Sequence, residues 1–204
     1  MAKKDLSKNM QELYFPPADE PVSVDVPEMG FLMVDGHGDP NTSKDYQDAI
    51  GALYSVSFTI KFTLKKKDKK RDFAVMPLES LWWSDREEDF LEGRKDVWKW
   101  TAMIVLPDHV KKEDIDDAVA QLKKKGKDLP ALAKLRLERW REGTSAQIMH
   151  IGPYSAERPN IERLRKYIAE GGHKVRGKHH EIYLGDPRRT KPEKLKTVIR
   201  LAYE

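Results

Sequence analysis

The sequence predicts an α+β fold in which a strand-helix-strand-strand module occurs twice, related by pseudo-two-fold symmetry around a central ligand cleft. Apolar residues recur at helical spacing in "SKDYQDAIGALYSVSFTIKF" (43–62) and again in "SAERPNIERLRKYIAEGG" (155–172). Each of these stretches is preceded by one strand-like run and followed by two, bounded by Gly, Pro and Asp. A fixed internal order of elements decides a fold class more firmly than any single propensity.

The first 20 residues mix charge with "FPP" and "ADEP" and read as an arm; residues 21–204 read as the domain. "GFLMVDGHG" (30–38) is a short apolar strand closed by glycines. The helix over 43–62 takes Ser43 or Thr42 as its cap and carries Tyr46, Ile50, Leu53, Tyr54, Ser57 and Phe58 near helical spacing. Its tail "VSFTIKF" has β propensity, which blurs the helix end. "KKKDKKR" (65–71) reads as a solvated turn rather than a phosphate-binding loop. Strands follow at 72–83 and 97–107, separated by an acidic linker over 84–96.

A connecting helix over 111–126 has Ile115, Ala118, Val119 and Leu122 on one face, acids early, lysines late and Gly126 after it. The second module starts at about 135, where residues 135–154 read as a strand pair or a bent strand. Its helix, 155–172, takes Ser155 as a cap and faces inward with Ile161, Leu164, Tyr167 and Ile168. Strands at 178–187 and 194–204 complete it.

The bulk numbers exclude several classes. With 204 residues, 39% hydrophobic and 35% charged, the chain is long enough to bury a core and too aromatic to be disordered. No cysteine is present, so thiolate chemistry and disulfide frameworks are out, and a cytoplasmic location is expected. "MAKKDLSKNM" lacks the apolar centre of a signal peptide, and no run approaches membrane-spanning length. The charge of +4 arises from 38 bases against 34 acids, without the one-sided clustering of a nucleic-acid binder. Neither nucleic acid nor membrane is expected as a partner.

Chemistry concentrates in "MPLESLWW" (76–83) and "HHEIYLGDP" (179–187), where Glu79 and Glu181 interrupt aromatic runs, and both carboxylates are expected to face one shared aromatic hollow. Strand alternation puts Glu79, Leu81 and Trp83 on one face, and His179, Glu181 and Tyr183 on one face opposite His180. A carboxylate among rings attracts a lipophilic cation, or, desolvated, serves as a general acid or base. The alternative is that each glutamate pairs with a base at a sheet edge while the tryptophans fill the core. "HIGPY" (150–154) is a tight turn that presents Tyr154; His150 reads as a core or partly exposed residue. Trp140, flanked by arginines, lines a ligand or covers an edge. His179 and His180, adjacent in a strand, could not ligate one metal well, and no phosphate loop, HExxH or G-x-S-x-G occurs. No metal or cofactor is expected.

"PLESLWW", "HIGPY" and "EIYLGDP" together resemble the GyrI-like small-molecule-binding proteins, relatives of the gyrase-inhibitor protein and of the effector domains of multidrug-responsive regulators. The resemblance covers roughly residues 20–204 and points to a stand-alone branch without a DNA-binding domain. It implies a duplicated fold with an aromatic cleft and a buried glutamate, here Glu181, that engages cationic or polycyclic ligands. Members of that branch look like hydrolases of cyclopropane-bearing alkylating compounds. The resemblance then implies Glu181 or Glu79 as the water-directing base and Tyr183 or Tyr154 as the proton donor. It makes Trp83, Trp98, Trp100 and Trp140 stacking walls, with Tyr54, Phe58 and Met149 as further ligand contacts. Nothing in the residues supports inhibition of gyrase. Three readings stay open: a detoxifying hydrolase, a passive multidrug-sequestering protein, and an interaction domain docking on a protein such as a topoisomerase.

Overall fold

The computed structural model describes residues 10–127 and 129–204. The expected N-terminal arm therefore falls partly outside the described residues. The elements are α1 (Gln11–Tyr14), β1 (Val22–His37), α2 (Lys44–Lys67), β2 (Leu78–Trp83), α3 (Glu87–Leu91), β3 (Lys99–Leu106), α4 (Lys112–Lys124), β4 (Arg136–Ile151), α5 (Arg158–Glu170), β5 (Val175–Tyr183) and β6 (Lys196–Tyr203). The fold is α+β, and the order strand, long helix, strand, strand occurs twice.

The chain forms two compact units. The first holds Met29–Met76 and Trp83–Trp140. In it β1 and β3 pair antiparallel, from Gly30 opposite Leu106 to His37 opposite Lys99. Helix α2 begins where expected, with Ser43 Oγ accepting from the Tyr46 amide. It runs past the expected end at 62, because Val56, Ser57, Ile60 and Leu64 are buried. Side-chain burial at that spacing outweighs the β preference of the local "VSFTIKF". The basic run is the last turn of α2 and a 3-10 turn over Lys69–Arg71, as a solvated segment should be. Strand β2 starts only at Leu78, not at 72, and the acidic linker contains the short helix α3.

Trp100 on β3 is fully buried, with its ring edge-on to Tyr46 at 5.0 Å. A Cβ added at Gly36 would sit 2.1 Å from Trp100 Cζ2, so only glycine lets the indole lie against this backbone. Gly36→Ala is expected to cost about 1–3 kcal/mol by overpacking. Thermal unfolding followed by tryptophan fluorescence checks this; an unchanged Tm would contradict it.

The second unit holds Met10–Glu28, Pro77–Trp82 and Arg141–Glu204. Here β2 pairs with β5, β5 with β6 and β6 with β4, all antiparallel. Residues 135–154 thus contain one long strand rather than a pair. On one face Ala146, Ile148, Ile199 and Leu201 pack with Leu164 and Ile168 of α5. The expected Ser155 cap is not used: residues 154–156 form a 3-10 turn first, and Glu157 takes the N-cap position of α5 without a side-chain cap bond.

Candidate functional site

The register of β2 against β5 separates the two glutamates. Ser80 lies opposite Glu181, and Glu79 lies opposite Ile182. Directly opposed residues share a sheet face, so Glu181 and Glu79 point to opposite faces. The expectation that both carboxylates look into one hollow is corrected here.

Glu79 faces a buried polar network. It is fully buried; its Oε1 accepts from the Tyr14 hydroxyl at 2.7 Å, and its Oε2 lies 3.0 Å from His180 Nε2. His180 Nδ1 lies 3.0 Å from Glu142 Oε2, which also receives Arg200 Nη1 at 3.2 Å. Arg200 further donates to Gln147 Oε1 at 3.0 Å through Nε and to the Leu13 carbonyl at 2.5 Å. Both imidazole nitrogens face carboxylates, which requires two N–H groups and hence an imidazolium. Burial pushes His180 down, but Glu142 and Glu79 outweigh it and hold the ring up at about 9. Burial likewise raises Glu142, and His180 with Arg200 bring it down to about 2. Burial and Glu79 push the Tyr14 hydroxyl well above its ordinary range. Two carboxylates and two cations close a neutral group, and the N-terminal segment is tied into it through Leu13 and Tyr14.

Glu181 is on the face covered by α5, since it opposes Ile199 of the α5-packed cluster. Its side chain is 13% exposed, against 0% for Glu79. His179 Nε2 donates to Oε1 at 2.9 Å, and the Tyr183 hydroxyl donates to Oε2 at 2.7 Å. Trp82 Nε1 in turn donates to the Tyr183 oxygen at 3.0 Å, which fixes the phenol's direction. Burial raises the Glu181 pKa, yet these donors together hold it below the ordinary carboxylate range. A hydrogen bond with the Glu157 carboxyl adds to this.

"HIGPY" builds the rim. His150 is buried; its Nε2 lies 3.1 Å from the Pro153 carbonyl and its Nδ1 3.2 Å from Asn160 Nδ2, so the ring braces the turn into α5. Gly152, at φ +141, is needed both for that conformation and because a Cβ would lie 3.3 Å from His150 Nε2. The turn brings Tyr154 edge-on to Tyr183 with ring centroids 5.6 Å apart. Burial first, then Glu157, Glu181 and Asp186, push the Tyr154 hydroxyl up to about 12, so it remains a proton donor at neutral pH.

The rings beside Glu181 in this unit are thus Trp82, Tyr154 and Tyr183. The other aromatic candidates belong to the first unit. Trp100 is core; Trp98 is tilted on Phe90 at 4.7 Å; Trp140 is edge-on to Phe31 at 5.8 Å. Trp83 is half-buried at the end of β2, and Tyr54 and Phe58 lie along α2 with centroids 6.2 Å apart. Met149 is buried on β4, on the same face as Gln147 and therefore with the inner network. Reading the sequence placed His179 on the Glu181 face without a role, and missed Trp82 and Glu157 at that site and Tyr14, Glu142, His180 and Arg200 at the inner one. Only the doublet "HH" carried a signal: adjacent strand residues serve opposite faces.

An uncharacterized conserved protein from Listeria innocua is 38% identical with a TM-score of 0.91, over 99% of this chain and 100% of that one. A hydrolase from Listeria innocua is 36% identical with a TM-score of 0.85, over the same shares. The C-terminal domain of EcmrR, at 11% identity and a TM-score of 0.57 over 91% of this chain and 97% of that one, shares the fold. No curated protein matches. Residues 19–204 match the family described as GyrI-like small molecule binding domain.

Proposed function

Because this chain belongs to the GyrI-like small-molecule-binding domain family, we propose that Glu181 is the centre at which it takes up aromatic or cationic small molecules and hydrolyses those carrying a strained cyclopropane. The observation that carries the reading is a partly accessible carboxylate fixed at both oxygens, by His179 and Tyr183, with Tyr154 at its rim. A carboxylate held ionised beside ring faces attracts an aromatic cation. Fixed in direction, it also orients a water molecule. The 36% identical hydrolase favours turnover over passive capture.

In the reaction we envisage, the water oxygen bonds to a cyclopropane carbon while Glu181 accepts a water proton. The ring carbon–carbon bond breaks, and its electron pair passes through the conjugated ring to the carbonyl oxygen. That oxygen becomes a phenolate and takes its proton from Tyr154, which solvent then reprotonates as Glu181 releases its own. The net change is addition of one water. Glu79 has no part in this step; its role is structural. We read residues 21–204 as one cytoplasmic domain derived from two copies of the strand-helix-strand-strand module.

The test is incubation with a cyclopropane-bearing alkylator under mass spectrometry. Multiple turnovers to a product heavier by one water are expected. Stoichiometric capture without product would leave a binding protein only.

A further inference from the structure

Helix α2 carries an aromatic strip on its outer side that the Glu181 site does not use. Tyr54, Phe58 and Phe62 follow at four-residue steps, with centroids 6.2 and 6.3 Å apart and planes within 24° and 20°. Phe58 is 43% exposed and Phe62 60%. Single exposed rings are ordinary, but a contiguous strip on a soluble surface marks an interaction site. Beside it a groove of about 470 Å³ runs between α2 and α4. Lys66, Lys125 and Lys127 rim the groove, and no carboxylate of the described residues lines it.

The shape selects the class of occupant. Small-molecule sites enclose most of their ligand, whereas Phe62 is more than half exposed. From residue 54 to residue 62 the strip spans about 12 Å of helix, which suits two anchors of an amphipathic helix laid in a groove. The rim selects the charge, since like charges across an interface are repelled and opposite ones steer encounter. A second copy of this chain would set lysine against lysine. The chain's own first ten residues, "MAKKDLSKNM", have three lysines and one acid, so they do not complement the rim either.

We infer that the α2–α4 groove docks an acidic amphipathic peptide segment of another protein, its aromatic or aliphatic side chains placed on Phe58 and Phe62. This does not rest on the Glu181 chemistry.

The test is a selection of displayed random 12-residue peptides on the intact protein, with Phe58→Ser/Phe62→Ser as the counter-target. Enriched sequences should combine Asp or Glu with Phe, Trp or Leu four residues apart. A synthetic peptide of that sequence should bind at least tenfold more weakly to Phe58→Ser/Phe62→Ser and to Lys66→Glu/Lys125→Glu, and unchanged to Glu181→Gln. No enrichment, basic sequences, or equal affinity for the groove variants would overturn the inference. So would loss of binding in Glu181→Gln, which would put the peptide at the other site. Sedimentation showing a dimer that dissolves in Phe58→Ser/Phe62→Ser would make the occupant a second copy. Competition by 2-naphthoate at the peptide's own affinity would make it a small anion; either result rejects a peptide.

Discussion

Glu142→Leu is expected to lower stability by about 3–5 kcal/mol, because it leaves His180 and Arg200 as buried cations with one carboxylate between them. For a chain of this size that is a fall in Tm of roughly 6–20 °C. The cost is uncompensated charge rather than lost packing, so adding Arg200→Met should restore much of it; a double variant no better than the single one would contradict this. The same network sets a pH profile. His180, raised from 6.5 to about 9, contributes stability that is complete below pH 6.5 and is lost as pH rises through 9. Glu142, lowered from 4.5 to about 2, contributes stability that is complete above pH 4.5 and is lost as pH falls through 2. Urea midpoints should therefore be highest between pH 4.5 and 6.5 and decline toward pH 9. In Glu142→Leu the alkaline decline should shrink, since half of what holds the imidazolium is gone.

The second large effect is on chemistry. Glu181→Gln keeps the size of the side chain and an acceptor for the Tyr183 hydroxyl, but removes the base and the charge. Product formation should drop by about 10²- to 10⁴-fold, the usual worth of a positioned general base. Binding of a neutral aromatic ligand should persist, because Trp82, Tyr154 and Tyr183 are untouched. A cation trap without turnover predicts the opposite pattern, with cation affinity lost and no activity to lose. Tyr154→Phe should act in the same direction more mildly, as water replaces the lost donor.

Much of the Glu181 site was legible in its own strand. Alternation alone groups His179, Glu181 and Tyr183 and sends His180 the other way, and the hydrogen bonds follow that grouping. What alternation could not supply is register between strands far apart in sequence. Glu79 and His180 are 101 residues apart, and whether Ser80 or Glu79 opposes Glu181 decides which face each glutamate takes. A shift of one residue reverses every side chain, so two similar motifs ended on opposite faces. Tyr14 was hidden for another reason: "ELYFPP" reads as a polar lead-in, and only the buried Glu79 gives its hydroxyl a partner. The tryptophans were ambiguous because ring size favours core and ligand wall alike. Gly36, which makes room for Trp100, marks that ring as core only once the strands are paired. The overlong α2 and the unused Ser155 cap are cases of tertiary packing and an intervening turn displacing local preference.

A crystal structure of the protein soaked with a polycyclic aromatic cation tests the assignment of function to Glu181 most directly. The account predicts the ligand's ring against Tyr154 and Trp82, its charged end within contact distance of the Glu181 carboxylate, and the Glu79 network unchanged. A ligand seated away from Glu181, or one that displaces Tyr14 to reach Glu79, would contradict it.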